Sequence, residues 1–323
     1  MRDDGSLLPV VRAAQLADAT ESNRWLVHSL WGRAAVGILG GAPKCCKSWL
    51  ALELCVSVAT RTRCLDRFPV EDPGSVMLYM AEDSAPVLKA RLQGLCRHRG
   101  VHFEDIPIDV ITAPSVRIDR VRDQDRLIRT VRKSAPRLLV LDPFVRLHRV
   151  DENDAGQVSA VLGYLRALQR ALDVAVLVVH HARKNGGSGG QAGQNLRGSG
   201  DLHAWGDSNL YLRKQQGTLL LTSEHRAAAA PEPLALRLVS CAQGDAHLEI
   251  VESVDARAQG AAALEDTIVA TLAAAGEPLG RTALRDRVRV RNERLGEALH
   301  RLTASGAVVR TGDRWAVPIP TST

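Results

Sequence analysis

From Trp25 to about Glu252, short runs of unbroken apolar residues alternate with stretches of helical period. AAVGILGG (34–41), SVMLYMAED (75–83), PIDVIT (107–112), RLLVLD (137–142) and VAVLVVHH (174–181) read as strands. SWLALELCVSVA (48–59), the stretch through LKARLQGLCRH, DRLIRTVRKS (125–134) and QVSAVLGYLRALQRAL (157–172) read as helices between them. Strands that are apolar at every position, separated by helices, predict an α/β fold with a mainly parallel sheet covered on both faces.

After Gly200 the pattern changes. SNLYLRK, TLLLTSE, LALRLVS and AHLEIVES follow at short spacing without helices, and predict antiparallel strands extending the same sheet. Residues 1–22 are polar without a sustained period and read as a lead-in, so the main domain spans 23–252. An Ala/Gln/Gly stretch within 253–262 reads as a linker. Beyond it, LEDTIVATLAAAG, RTALRDRV and NERLGEALHRLTASG predict three helices, and AVVRTGDRWAV a hairpin around Gly312-Asp313. Three helices and a two-stranded wing describe a winged helix-turn-helix domain over 263–318.

Composition adds little to this architecture but bounds the setting. Apolar content of 45% and charged content of 24% are those of an ordinary globular protein. No apolar run approaches the ~18 residues of a membrane span. The acidic start, MRDDGSLLPV, is unlike a signal peptide, so a cytoplasmic location is expected. The six cysteines form no C-x-x-C pair, which removes a zinc ribbon and a thioredoxin-like motif and leaves small buried apolar side chains in a reducing compartment. A net charge of +6 favours a polyanionic partner.

The candidate chemistry begins at Gly41-Ala42-Pro43-Lys44-Cys45-Cys46-Lys47-Ser48, between a strand and a helix. A phosphate-binding loop needs backbone N–H groups at a helix N-terminus, a lysine for the β/γ-oxygens and a hydroxyl for Mg2+. Gly41, Lys47 and Ser48 have that spacing, but Cys46 stands where the motif has its second glycine. Its Cβ crowds the loop, and a residue other than glycine is restricted at positive φ. Asp142 ends an apolar strand, where it can hold magnesium through water. Glu82 and Asp83 end another strand at the same sheet edge. A carboxylate there can activate the attacking water, and Asp83 reads better as a helix cap. His180 and His181 close the fifth strand and point to opposite faces, so one can sense the γ-phosphate while the other packs.

GAPKCCKSWLAL, LYMAED, LLVLDPF, VVHHARK and QNLRGSGDLHA, in this order, resemble the RecA-like ATPases typified by the plasmid replicative helicase RepA, over roughly residues 23–252. The resemblance implies a RecA-fold core assembling into a homo-hexameric ring, with ATP and Mg2+ between neighbours. By matching positions it implies phosphate and magnesium roles for Lys47 and Ser48, water activation for Glu82, a second magnesium role for Asp142 and a sensor role for His180 or His181. Two positions depart from the family. Cys46 replaces the loop glycine, and Asp207 stands where the helicase has a trans-acting arginine. Arg226, in TSEHRAA, resembles an arginine-bearing element of other replicative ring helicases, with Arg213 and Lys214 as alternatives.

Two segments read as facing DNA. The glycine-rich loop 183–200 carries Arg183, Lys184 and Arg197; in a ring it would grip single-stranded DNA by its phosphates, and otherwise it is a surface insertion. In the C-terminal domain Arg291, Asn292, Arg294 and Arg301 project from one helix, as a recognition helix for duplex DNA or as a protein-docking face. The sequence thus points to an ATP-hydrolysing motor on DNA, a replicative or mobile-element helicase-like ATPase. The alternative, favoured by Cys46 and Asp207, is an ATP-controlled DNA-binding regulator with weak or no hydrolysis.

Overall fold

The computed structural model describes residues 10–15, 24–152, 154–181, 200–215, 218–241, 245–251, 253–288, 290 and 292–318. They divide into two compact units: the described residues up to 213 with 219–250, and 214–215 and 218 with those from 251 onward.

The first unit opens with a small ribbon, β1 (Trp25–Val27) and β2 (Trp31–Gly32), followed by β3 (Val36–Gly41) and α1 (Lys47–Thr60). It continues through β4 (Val76–Met80), α2 (Ala85–His98), β5 (Ile108–Val110), α3 (Val121–Ser134), β6 (Leu138–Asp142), α4 (Ala155–Leu172) and β7 (Ala175–His181). A short α5 (Gly200–Trp205) precedes β8 (Ser208–Gln215), β9 (Thr218–His225), β10 (Leu234–Ser240) and β11 (Ala246–Val251). Among the described residues, nine strands form one sheet in the order β11-β10-β9-β8-β3-β7-β6-β4-β5.

The strands from β3 to β7 pair in parallel, as their unbroken apolar runs predict. Successive residues serve opposite faces. Leu39, Leu78, Val140 and Leu177 pack with α1 and α2 residues such as Leu50, Leu54 and Leu92. Ile38, Tyr79, Leu141 and Val178 pack with Leu127 of α3 and Leu162 and Leu165 of α4. On the first face a buried ion pair joins Glu53 of α1 to Arg99 just beyond α2, and Glu53 Oε1 also accepts from the Leu65 backbone N–H at 2.7 Å. Burial pushes the Glu53 carboxyl up, against the pull of the Arg99 guanidinium.

One expectation needs correction in the late strands. SNLYLRK, predicted antiparallel, lies in β8 and pairs in parallel with β3, Leu39 opposite Leu210 and Gly41 opposite Leu212. The long connection from β7 allows a crossover, which a short strand-to-strand turn would not. Antiparallel pairing is established between β9 and β10. A Cβ on Gly37 would stand 1.7 Å from the Ser208 carbonyl oxygen, so β3 must be bare there for β8 to enter.

The second unit comprises α6 (Ser253–Ala275), β12 (Leu279–Gly280), α7 (Arg281–Val288), α8 (Asn292–Ala304), β13 (Val309–Thr311) and β14 (Arg314–Ala316), with strand order β12-β14-β13. Stretch 253–262, read as a linker, is the first part of the 23-residue α6. Its alanines are the best helix formers and outweigh the single glycine. Leu264, Ile268, Leu284, Leu295, Leu299, Leu302 and Trp315 make the core of this unit. Gly312, at φ 61°, turns β13 into β14.

Candidate functional site

The phosphate-loop residues join the end of β3 to the start of α1. Gly41 sits where a Cβ would come within 2.4 Å of the Leu212 carbonyl oxygen and 2.7 Å of Cys45 Sγ, so this position tolerates no side chain. Cys46 caps α1 at φ 63° and ψ 23°, in the left-handed region, and Lys44 has φ 59°. The glycine of the motif is absent while its backbone conformation is kept, and a residue with a Cβ costs about 1–2 kcal/mol there.

Lys47 is buried and folded onto its own loop. Its Nζ donates to the carbonyls of Gly41 at 2.9 Å and Ala42 at 2.8 Å. Burial pulls its ammonium down, while Cys45 and Asp142 oppose the shift. Ser48 Oγ donates to Asp142 Oδ2 at 2.7 Å, joining α1 to the end of β6. Burial, with added repulsion from Asp83 and Glu82, pushes Asp142 up to about 6 despite the Ser48 hydrogen bond and Lys47.

These residues line a cavity of about 310 Å³ that also takes in Glu82, His181 and residues 44–46. Glu82 is half exposed and accepts from Arg146 Nε at 3.2 Å. Asp83, read as a cap, precedes the residue that caps α2, Ser84; it is paired with Arg91 of α2 and also lines the cavity. Of the histidine pair, only His181 reaches this space. His180 is buried and meets the Phe144 ring edge-on at 5.7 Å, on the other face of the sheet. Adjacent strand residues must diverge in this way.

Trp49 and Arg91 were not legible as site residues. Arg91 lies over the Trp49 ring at 5.2 Å, and both line the cavity. Their only sequence signal is the place of Trp49 directly after Ser48, since the approach of Arg91 depends on how α2 packs.

Away from the cavity, Asp207 joins three elements. It is paired with Arg166 of α4 and lies 3.4 Å from Arg226, and its Oδ2 accepts from the Val36 N–H of β3 at 3.3 Å. Arg226 also donates to the Ala204 carbonyl at 2.6 Å, although its side chain is 56% exposed. Within the chain, then, Arg226 is engaged by the acid that stands at the departing family position. Arg213 and Lys214 are exposed on β8.

The DNA-facing expectations fall mostly elsewhere. Arg183, Lys184, Arg197 and Arg291 lie outside the described residues, and Asn292 and Arg294 lie in the first turn of α8, where side chains are not described. Arg301, expected to project from the recognition helix, pairs with Glu265 of α6 at 2.6 Å and spans two helices of its own unit. Of the cysteines, Cys45, Cys55, Cys64 and Cys96 are buried as expected, whereas Cys46 is partly exposed and Cys241 exposed; all are free thiols.

No helix among the described residues is long and apolar enough to cross a membrane. The fold resembles that of a solved structure titled "ATPase Domain of G40P", with a TM-score of 0.53 at 15% identity, covering 68% of this chain and 86% of that one. A weaker likeness is to the structure of "the RadB recombinase", with a TM-score of 0.48 at 17% identity, covering 68% and 92%. No curated protein matches the chain in sequence. A family-wide profile described as "AAA domain" (AAA_25) matches residues 3–187, more than half of the chain and all of the segment from the phosphate loop to the β7 histidines. The chain therefore belongs to the AAA_25 family of AAA domains, built on a RecA-like P-loop fold.

Proposed function

We propose that the protein binds and hydrolyses ATP and acts on DNA as a RecA-type motor, helicase-like and working as a homo-hexameric ring. The observation that carries this reading is the convergence of Lys47, Ser48, Asp142, Glu82 and His181 on one cavity at a helix N-terminus. The fold likeness to a domain titled as an ATPase supports it.

The oxygen donors fit magnesium. Ser48 Oγ and Asp142 Oδ2 already lie 2.7 Å apart, and hydroxyl plus carboxylate is the donor set that hard cations prefer. Magnesium, when bound, neutralises charge on the β- and γ-phosphates. Lys47 exchanges its two loop carbonyls for phosphate oxygens. Glu82, released from Arg146, accepts the proton of the water that attacks the γ-phosphorus as the bond to the β-γ bridging oxygen breaks. His181 contacts the γ-phosphate side of the cavity and, as the last residue of β7, leads directly into the loop expected at DNA. Arg226 of a neighbouring copy stabilises the transferring phosphoryl group, once freed from its own Asp207. The three helices and small sheet of the second unit act as a winged helix on duplex DNA.

The test is ATP turnover with and without single-stranded DNA. Wild type should turn over faster with DNA, and Lys47→Ala should abolish both rates. Equal turnover in the two proteins removes the enzyme reading.

Cys46 in left-handed geometry and Arg226 engaged by Asp207 favour one second reading, an ATP-controlled DNA-binding regulator with weak or no hydrolysis. Tight nucleotide binding, negligible turnover and sequence-selective duplex binding would establish it over the motor.

A further inference from the structure

The outer face of α3 carries a straight row of positive charge that the nucleotide site does not use. Arg122, Arg126, Arg129 and Lys133 are all exposed. At about 100° per residue they fall within about 60° of one another around the helix, and at 1.5 Å per residue they span about 16 Å. Leu127 and Val131 occupy the opposite side and are buried against the sheet, so the row points to solvent.

The row is only lightly neutralised. Arg126 meets Asp123 at 3.0 Å, and Asp123 is already engaged by the Arg117 N–H. Arg129 Nε donates to a backbone carbonyl, that of Asp125. No ion pair is formed by Arg122, Arg129 or Lys133 among the described residues. Asp125 lies at the edge of the row, offset by about 60°. Beside α3, the exposed positions of α4 include Ser159, Ala160, Gly163 and Ala167, which are small and uncharged. Both helices cover the same sheet face and are joined by Tyr164 Oη donating to the Gln124 carbonyl at 2.8 Å. A bulky polyanion can therefore approach the cations without meeting a projecting or acidic neighbour from this side of α4.

We propose that this face of α3 is a docking surface for the phosphate backbone of duplex DNA, read without regard to sequence. Charge complementarity selects the partner class. Four cations over about 16 Å match in scale a short stretch of the phosphate backbone of B-form DNA, which carries one negative charge per nucleotide. A rigid helix presents them at fixed intervals, which suits a regular backbone. Single-stranded sites add aromatic platforms for unstacked bases, and α3 contains no aromatic residue. None of the four cations belongs to the phosphate loop, and the inference holds whether or not the protein hydrolyses ATP.

The experiment uses the full chain without nucleotide and measures binding of a labelled duplex oligonucleotide across a salt series. The variant replaces Arg122, Arg126, Arg129 and Lys133 with glutamine; all four are exposed, and circular dichroism and thermal melting verify its fold. The slope of log affinity against log salt should fall by about 3.6 for four lost phosphate contacts. Over a fourfold rise in salt, wild type should then lose on the order of a hundredfold more affinity than the variant. Returning Arg122 and Arg129 as lysine should restore about half of the slope. An unchanged slope overturns the proposal, as does a change seen only with single-stranded DNA or with anionic phospholipid vesicles. A shift in oligomeric state with unchanged duplex binding also overturns it and makes the face an interface between copies. Lys47→Ala run in parallel keeps the outcomes separate: turnover that survives in Lys47→Ala counts against the motor reading alone, and an unchanged salt slope in the glutamine variant counts against this proposal alone.

Discussion

The Ser48 hydroxyl donates to the Asp142 carboxylate at 2.7 Å, tying the first turn of α1 to the end of β6 across the mouth of the phosphate loop. The two oxygens are carried by α1 and β6, whose apolar residues Leu50, Leu54, Leu138 and Val140 share one core. Burial, with repulsion from Asp83 and Glu82, pushes the Asp142 carboxyl up to about 6. A cation seated there would relieve that repulsion.

Asp142→Asn and Ser48→Ala should therefore both weaken ATP binding more in the presence of magnesium than in its absence. Asp142→Asn removes a buried charge and should leave the folded protein at least as heat-stable as wild type. Titration of a fluorescent ATP analogue with and without magnesium, alongside thermal melting, checks this. An equal loss of affinity in both conditions would dismiss the metal assignment.

Cys46 holds a glycine's backbone conformation with a Cβ attached. Cys46→Gly removes steric strain of about 1–2 kcal/mol but adds unfolded-chain entropy of about 0.5–1 kcal/mol, so net stability should rise by no more than about 1.5 kcal/mol. The main effect should be on the site: tighter nucleotide binding and faster turnover, because the loop amides can close on phosphate. Binding that weakens in Cys46→Gly would show that the thiol is part of the cradle.

Arg226 is exposed yet engaged by Asp207 and the Ala204 carbonyl. If it acts in trans, Arg226→Ala should cut turnover by roughly a thousandfold or more while leaving ATP affinity within a few-fold. Mixing Arg226→Ala with Lys47→Ala should recover part of the rate, since a mixed pair can hold one intact site. Turnover that survives Arg226→Ala leaves this arginine a purely structural role.

His148 packs against Phe144 at 4.3 Å between ring centroids, and burial pulls its imidazole below the usual value, with Asp119 offsetting part of the effect. His225 is pulled down in the same way, against its contact with the Ser29 carbonyl. A histidine kept neutral in the fold protonates first in the unfolded chain. Stability is therefore held above about pH 6.5 and declines as pH falls below it, toward the folded-state values. Urea midpoints measured from about pH 8 to 5 should fall, and His148→Phe should flatten that fall. An identical pH profile in the variant would remove His148 from the account.

Local chemistry made much of this molecule readable from the chain alone. Four unbroken apolar runs between helical stretches announced a parallel sheet, because only a strand buried on both faces can be apolar throughout; PIDVIT, broken by Asp109, became the edge strand β5. The spacing from Gly41 to Ser48 placed the phosphate loop for the same kind of reason, as it needs only a strand end, a turn and a helix start, all adjacent in sequence. Tertiary structure decided what depends on distant partners. Alternation required His180 and His181 to diverge, but only the packing of α1 and α4 on opposite faces made His181 the one at the cavity. Asp207 looked like a missing arginine and is instead the acid that ties Arg166, Arg226 and β3 together. The direction of β8 was settled by a crossover, and Trp49 met Arg91 only once α2 had docked. Ion pairs and face assignments join residues far apart in sequence, and a one-dimensional pattern carries no record of which of those approaches the packed sheet allows.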